Sequence, residues 1–262
     1  MSLAQVIKTE LYKSSRRKSS LMLFIPMLLA IIVTFGYAHG VIELNLTTKG
    51  MRVYSCMDFI FIVWNVLSGL GIIGIVLLLF AAFQFSGEID CGQVKLMLLR
   101  IGKRSTVVFG KYLATVIASV VSIIVTFVIC IVSYYMFVAT TAMGTGTFAS
   151  TIDGLSSLAI CEIIGLQILM YLLLISITFL VGLFANPFIT FVLAIVVMYI
   201  GNYLAGSENM ISKLLPVYWS NQLMLNETVS AIWMSSSVCI TCILIVFIMV
   251  MATLIFQRQD VK

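Results

Sequence analysis

One short segment of the chain concentrates charged side chains in a pattern suited to binding another protein. The segment EIDCGQVKLMLLRIGKRSTVVFGK, from Glu88 to Lys111, contains two acids and five bases. Its helical spacing puts Val94 and Leu98 on one face of a short helix and leaves Lys95 on another face. The alternative interpretation, an ordinary positively charged loop, explains only the bases. A docking helix also explains the acids, the glycines and the apolar stripe.

The glycines of this segment indicate where the short helix begins and ends. Gly92 relieves crowding near its start, and Gly102 ends it, as glycines commonly do at helix C-termini. The next long helix is predicted to begin near Gly110 and Lys111. The segment is too short to form an independent domain.

Polar side chains inside the apolar runs are the second group of candidate functional residues. Such residues within a membrane are functional hypotheses by default. The candidates for a substrate path are Asn65, Gln84, Glu162 and Gln167, with Asn202 as a further uncharged residue. Glu162 lies near the outer end of its run, so an alternative is that its carboxylate simply extends to the membrane surface.

The sequence lacks the patterns of common membrane enzymes. His39 is the only histidine, so no HExxH zinc site exists and no metal site is expected. No GxxxxGK[ST] phosphate-binding loop is present, and no catalytic nucleophile has a plausible base. Any use of ATP must therefore depend on another chain.

The composition indicates that lipid surrounds most of the protein. The chain of 262 residues is 62% hydrophobic and 10% charged, and no Asp, Glu, Lys or Arg occurs from Tyr112 to Ile152. About 20 apolar residues suffice to cross a bilayer as a helix. The net charge of +5 is not a nucleic-acid signal, because Lys and Arg in membrane proteins mainly report orientation.

The predicted fold is an all-α membrane protein with six transmembrane helices in a single domain, 1–262. Long apolar runs without alternation favour helices over barrel strands. The spans are predicted near 20–37, 59–85, 106–137, 156–183, 187–204 and 230–256. Asn186-Pro187 is interpreted as a tight turn; the alternative is one kinked helix, too long for a single crossing.

The distribution of positive charge predicts that both termini are cytoplasmic. Twelve bases fall on the side that holds the termini and the segment 86–105, and three fall on the other side. An uncleaved first helix is favoured, although Gly36-Tyr37-Ala38 has the form of a signal-peptide cleavage site. The expected location is the plasma membrane of a bacterium.

Three segments outside the spans also have recognisable patterns. Residues 1–19 place Leu3, Val6, Ile7 and Leu11 on one face, which predicts an amphipathic helix at the interface; the alternative is a disordered basic tail. Residues 205–229 are semi-apolar and predict short re-entrant or interfacial helices outside the membrane. The sequons at Asn45 and Asn226 are interpreted as chance matches.

Three of these segments resemble permeases of the ABC-2 exporter family. In the loop after the second span the matching positions are Glu88, Gly92, Lys95, Leu98, Leu99, Arg100, Gly102, Arg104, Gly110 and Lys111; Gln93 stands where many relatives have Thr. In the N-terminal segment TELYKSSRRKSSLMLFIP they are Glu10, Lys13, Arg16, Arg17, Lys18 and Pro26. The stretch LLPVYWSNQ resembles the family's external region.

The resemblance implies a mechanism and a set of partners. Two permeases, identical or paired with a sister chain, would bind a dimer of cytosolic ABC ATPases, which would hold ATP and Mg²⁺. The N-terminal helix would be a connecting helix, and the segment 86–105 a coupling loop. The compact form resembles permeases for lantibiotic immunity, which implies an amphipathic or antimicrobial peptide as cargo. Drugs, ions, lipids and polysaccharides are alternative cargoes.

A different class of function also fits the residues alone. A channel, an ion-driven transporter or a substrate-shielding immunity protein would need no ATPase. Such a protein would be active in liposomes without nucleotide, whereas a permease without its own motor would co-purify with an ATPase. An ATPase gene beside this one is expected only for the permease.

Overall fold

The computed structural model describes residues 2–42, 54–101, 103–150, 155–207, 209–225 and 230–258. Three residues named from the sequence, Asn45, Gly102 and Asn226, lie outside these ranges. For Arg100 the model describes the backbone within a helix.

Ten α-helices follow one another along the described residues. They are α1 (Leu3–Arg16), α2 (Ile25–Ala38), α3 (Cys56–Gly69), α4 (Ile72–Asp90), α5 (Gln93–Ile101), α6 (Arg104–Ser133), α7 (Ser157–Val181), α8 (Pro187–Ala205), α9 (Pro216–Met224) and α10 (Ala231–Arg258). A 3₁₀ segment, Lys18–Phe24, leads into α2, and a π-helical turn, Tyr134–Val138, extends α6. This confirms the predicted all-helical fold.

Six of the described helices are long and apolar enough to span a membrane, as predicted. They comprise Lys18–Ala38, Ile72–Asp90, Arg104–Val138, Ser157–Val181, Pro187–Ala205 and Ala231–Arg258. The turn between α7 and α8 also agrees with the sequence. Asn186 caps α8 by accepting a hydrogen bond from the Ile189 amide at 3.1 Å, and Pro187 begins the helix.

The second predicted span, 59–85, is wrong as a single helix. The structure divides it into α3 and α4, with a break at Leu70-Gly71. Gly71 has a left-handed backbone (φ 74°) and directly precedes α4, while Leu70 caps the end of α3. The apolar pattern continues across the break, so hydropathy alone predicted one continuous helix.

The predicted short helices before the last span are present. Within 205–229 the chain forms a 3₁₀ turn, Ser212–Leu214, and then α9, which packs against α7 and α10. Trp219 is buried and donates its indole N–H to the Lys213 carbonyl at 2.8 Å. Trp219 therefore fills the contact between α9 and the bundle, where it packs with Leu166 and Ala205.

The first described helix, α1, and the end of the last, α10, lie at the same end of the bundle, called the basic end below. The start of α6 contacts the last turn of α10 here, and α1 lies against α6. Among the described residues, Lys213 is the only Lys or Arg at the opposite end. The described residues therefore show the charge asymmetry predicted from the sequence; Lys49 and Arg52, which the prediction also counts on the opposite side, lie outside them.

Candidate functional site

A buried ion cluster joins three helices at the basic end. Lys111, from α6, donates to Glu10 of α1 at 2.9 Å and also pairs with Glu88 of α4. Lys13 lies 2.6 Å from the other Glu88 oxygen, and Arg17 pairs with that same oxygen. The cluster therefore connects residues that are far apart in the sequence.

The cluster is nearly closed to solvent at its centre. Lys111 is 1% exposed, Glu88 2% and Glu10 6%, whereas Lys13 and Arg17 are partly exposed at its edge. Three positive and two negative side chains balance to within one charge. Removing one partner from a buried pair is strongly destabilising, because the other charge stays uncompensated. The cluster therefore makes the docking of α1 depend on both α4 and α6.

Amide side chains extend the ion cluster to α5. Arg17 donates to Gln93 at 2.6 Å and to Gln84 at 3.3 Å, and Gln84 in turn donates to the Ser14 hydroxyl at 2.8 Å. Gln93 is the first residue of α5. Arg17, the residue that follows α1, thus links α1 directly to α5 through its guanidinium group.

The position of α1 depends on a glycine in α6. A Cβ atom at Gly110 would lie 2.5 Å from Cγ1 of Val6, closer than such atoms approach in proteins. Val6 is fully buried, and Glu10 and Ser14 follow it along the same stripe of α1.

The helix predicted within residues 1–19 is confirmed as α1, but its buried face is partly polar. Leu3 is more exposed than expected. The alternative of a disordered tail is wrong.

The short helix α5 has one buried and one exposed face. Val94 is buried and Leu98 is partly buried, as the spacing predicted. Gly92 takes a left-handed backbone (φ 69°) at the turn from α4 into α5. Leu96 and Leu99 are 67% and 84% exposed, and Lys95 is exposed beside them. These three residues form the free face of α5.

The remaining bases of the two segments have different surroundings. Arg104 donates to the carbonyls of Phe256 and Gln257 at 3.2 and 3.0 Å, so it caps the last turn of α10. Arg16 is exposed over the ring of Tyr12, 5.7 Å from its centroid. Lys18 is exposed at the start of the 3₁₀ segment.

The structure separates the residues proposed for a substrate path. Asn65 and Gln167 line one cavity together with Asn202. Gln84 belongs to the network around the ion cluster, at the other end of α4. Glu162 is exposed on the outer surface of α7, away from that cavity. The four residues therefore do not form a single path through the chain.

A comparison with protein families gives the assignment. A sequence model of the ABC-2 family transporter proteins matches residues 6–201, about three quarters of the chain. The chain belongs to the ABC-2 transporter family. It is a multi-pass membrane protein and a membrane component of a transporter. ABC-2 permeases generally pair with an ABC ATPase. No curated protein sequence matched the chain.

The matched region of this ABC-2 protein contains the whole ion cluster and all of α5. Sequence reasoning selected Leu99 but missed Leu96, which shares its exposed face. The signal was available, because an apolar side chain three residues before Leu99 must lie beside it on a helix. The sequence marked Gln93 only as a departure from the family pattern, whereas Gln93 is the α5 residue that accepts a hydrogen bond from Arg17.

Proposed function

We propose that this chain is the permease subunit of an ATP-driven exporter and that a separate cytosolic ATPase dimer drives it. The observation that carries the proposal is the free face of α5, a helix that Arg17 connects to the buried ion cluster through Gln93. Exposed leucines beside a lysine suit a protein partner, since apolar anchors dominate binding energy and surrounding charges guide association. ATP and Mg²⁺ would bind to the ATPase.

The ion cluster supports a specific route for force. A partner that moved α5 would pull on Gln93, and through Arg17 on α1 and Glu88. Lys111 passes the displacement to α6. In this proposal Glu88 and Lys111 act inside the permease as links between helices. Lys95, Leu96 and Leu99 are the residues that would contact the ATPase.

The proposal places the basic end in the cytoplasm of a bacterium, where the positive-inside rule puts Lys and Arg. A second permease, identical or a sister chain, would complete the transporter. The exposed stripe of α7 with Leu158, Cys161 and Glu162 would then face either lipid or that second permease. The cargo we propose is an amphipathic peptide, exported for self-immunity or secretion.

Co-purification tests the partner. The tagged chain is isolated from its native membranes, and the bound ATPase is identified by mass spectrometry. We expect the double variant Leu96→Ser/Leu99→Ser, or Lys95→Glu alone, to lose most of the ATPase. Leu158→Ser removes an equally exposed leucine from the opposite end of the bundle and serves as the matched control.

Two results would reject this function. One is a wild-type chain that retains no ATPase. The other is transport in liposomes that contain the chain but no nucleotide, as expected for a channel or an ion-driven transporter. The cargo is tested separately by adding amphipathic peptides to the assembled complex, in which a true cargo should stimulate ATP hydrolysis.

A further inference from the structure

A cavity of about 400 Å³ with four side-chain amides in its walls, called the amide cavity below, lies where the second span is broken. It is formed by the end of α3 together with α7, α8 and α9, all within one chain. Its volume falls within the range of roughly 300–1,000 Å³ that is typical of small-ligand sites. Gln167 places it about 15 Å along α7 from Ser157, well inside the span.

The broken backbone explains why a cavity can exist at this depth. In lipid, unpaired peptide groups are tolerated only where protein buries them or where they line a cavity. Gly69, in the last turn of α3, lines the cavity, and Gly71 begins the next helix one residue beyond Leu70. Interrupted helices form ligand sites in other transporters for the same reason.

The cavity walls carry neutral hydrogen-bonding groups. Its amides belong to Asn65, Gln167, Asn202 and Asn221. Two of them are already engaged: Asn65 donates to the Phe61 carbonyl at 2.9 Å, and Gln167 bonds to Trp64 and Ser220 at 2.5 and 3.0 Å.

The other two amides are available to a ligand. Within the described part of the chain, the side chains of Asn202 and Asn221 form no hydrogen bond. Asn202 is exposed and Asn221 is half-buried, so both amides are open to a ligand that bonds to them. The cavity therefore offers a ligand two amides that can each donate and accept hydrogen bonds.

The chemistry of the walls restricts what can bind. No Asp, Glu, Lys, Arg or His is among the described residues that line the cavity. A charged ligand group would therefore be desolvated without a counter-ion, which costs far more than burying a neutral polar group. Met170, Met198 and Met224 supply flexible apolar surface that adapts to different side chains.

We propose that this cavity binds the uncharged backbone of a peptide segment of the cargo. Peptide groups both donate and accept hydrogen bonds, as do the free amides of Asn202 and Asn221. The apolar side chains of the segment would contact the methionines. The inference rests on the proposed function as a peptide exporter and adds a site, within one chain, for the neutral part of the peptide.

Binding of a defined peptide to the full-length chain in lipid nanodiscs tests the site. The probe is a short fluorescent peptide of leucine, serine and asparagine, acetylated and amidated so that it carries no charge. Fluorescence anisotropy measures its Kd, with empty nanodiscs as the blank. A second probe has lysine in place of asparagine.

We expect saturable binding of the neutral peptide and weaker binding of the lysine peptide. Asn202→Ala and Asn221→Ala should each raise the Kd about two- to tenfold, the usual effect of one hydrogen bond. Gln257→Ala removes an exposed amide at the basic end and should leave the Kd unchanged. Asn221→Asp should reverse the preference in favour of the lysine peptide, a gain that misfolding cannot produce.

The site is rejected if the wild-type chain does not bind the neutral peptide saturably. It is also rejected if both alanine variants bind as tightly as the wild type, or if Asn221→Asp leaves the preference unchanged. Failure here combined with co-purification of an ATPase leaves the permease function standing. Peptide binding by a chain that retains no ATPase instead rejects the proposed function and keeps the site.

Discussion

Replacing Lys111 with methionine should destabilise the folded chain far more than any exposed lysine substitution. Methionine keeps most of the side-chain volume, so the main change is the loss of one buried positive charge. Glu10 then has only Lys13 nearby, at 3.8 Å, whereas Glu88 keeps Lys13 and Arg17. The uncompensated charge is therefore that of Glu10.

The size of the effect follows from this partial compensation. Removing one partner of a buried ion pair typically costs about 3–5 kcal/mol. Because Glu88 keeps two partners, we expect a loss near the lower limit, about 3 kcal/mol in the free energy of unfolding. Adding Glu10→Gln should restore about 2 kcal/mol, since a neutral amide no longer requires a counter-ion.

Reversible unfolding in mixed micelles, by titration with SDS, measures these free energies. Lys103→Met is the matched control, because Lys103 precedes α6 and is exposed; it should change the free energy by less than about 0.5 kcal/mol. A loss below about 1 kcal/mol for Lys111→Met would refute the reasoning. So would the failure of Glu10→Gln to restore stability.

Three further substitutions test other parts of the structure. Gly110→Leu should detach α1 and speed tryptic cleavage within it. Gly165→Leu, at an open position on α7, is the control and should not change the rate of this cleavage. Equal cleavage rates in the two variants would contradict the close packing of α1 on α6. Gly71→Ala should lower the free energy of unfolding by about 1–2 kcal/mol, because Gly71 has a left-handed backbone. Gly69→Ala should leave this free energy unchanged or raise it, and the same SDS titration measures both variants. Arg104→Gln should increase hydrogen exchange in the last turn of α10, and unchanged exchange would show that this cap is dispensable.

The long apolar runs made most of the fold predictable from the sequence. Five of the six spans agree with the structure to within a few residues, because about 20 apolar residues leave little choice in lipid. The break in the second span was missed, since hydropathy averages over it. Two glycines in the stretch from Ser68 to Gly71 were the available signal.

The candidate site was predictable only in part. Local periodicity located α5 and its buried Val94, because helical neighbours are three or four residues apart. The pairing of Lys111 with Glu10 joins residues 101 positions apart, which no local pattern reveals. A partial signal existed in α1, where Glu10 and Ser14 continue the stripe of the buried Val6.

The break at Gly71 also sets how far α4 reaches. Its 19 residues make a rod about 28 Å long, fixed in the ion cluster by Glu88 and ending beside the amide cavity. A tilt of this rod about its basic end would therefore move its other end beside the cavity. The 30 residues of α6, held by the same cluster through Lys111, form a longer rod of about 45 Å. The same ion cluster therefore anchors two helices of different length.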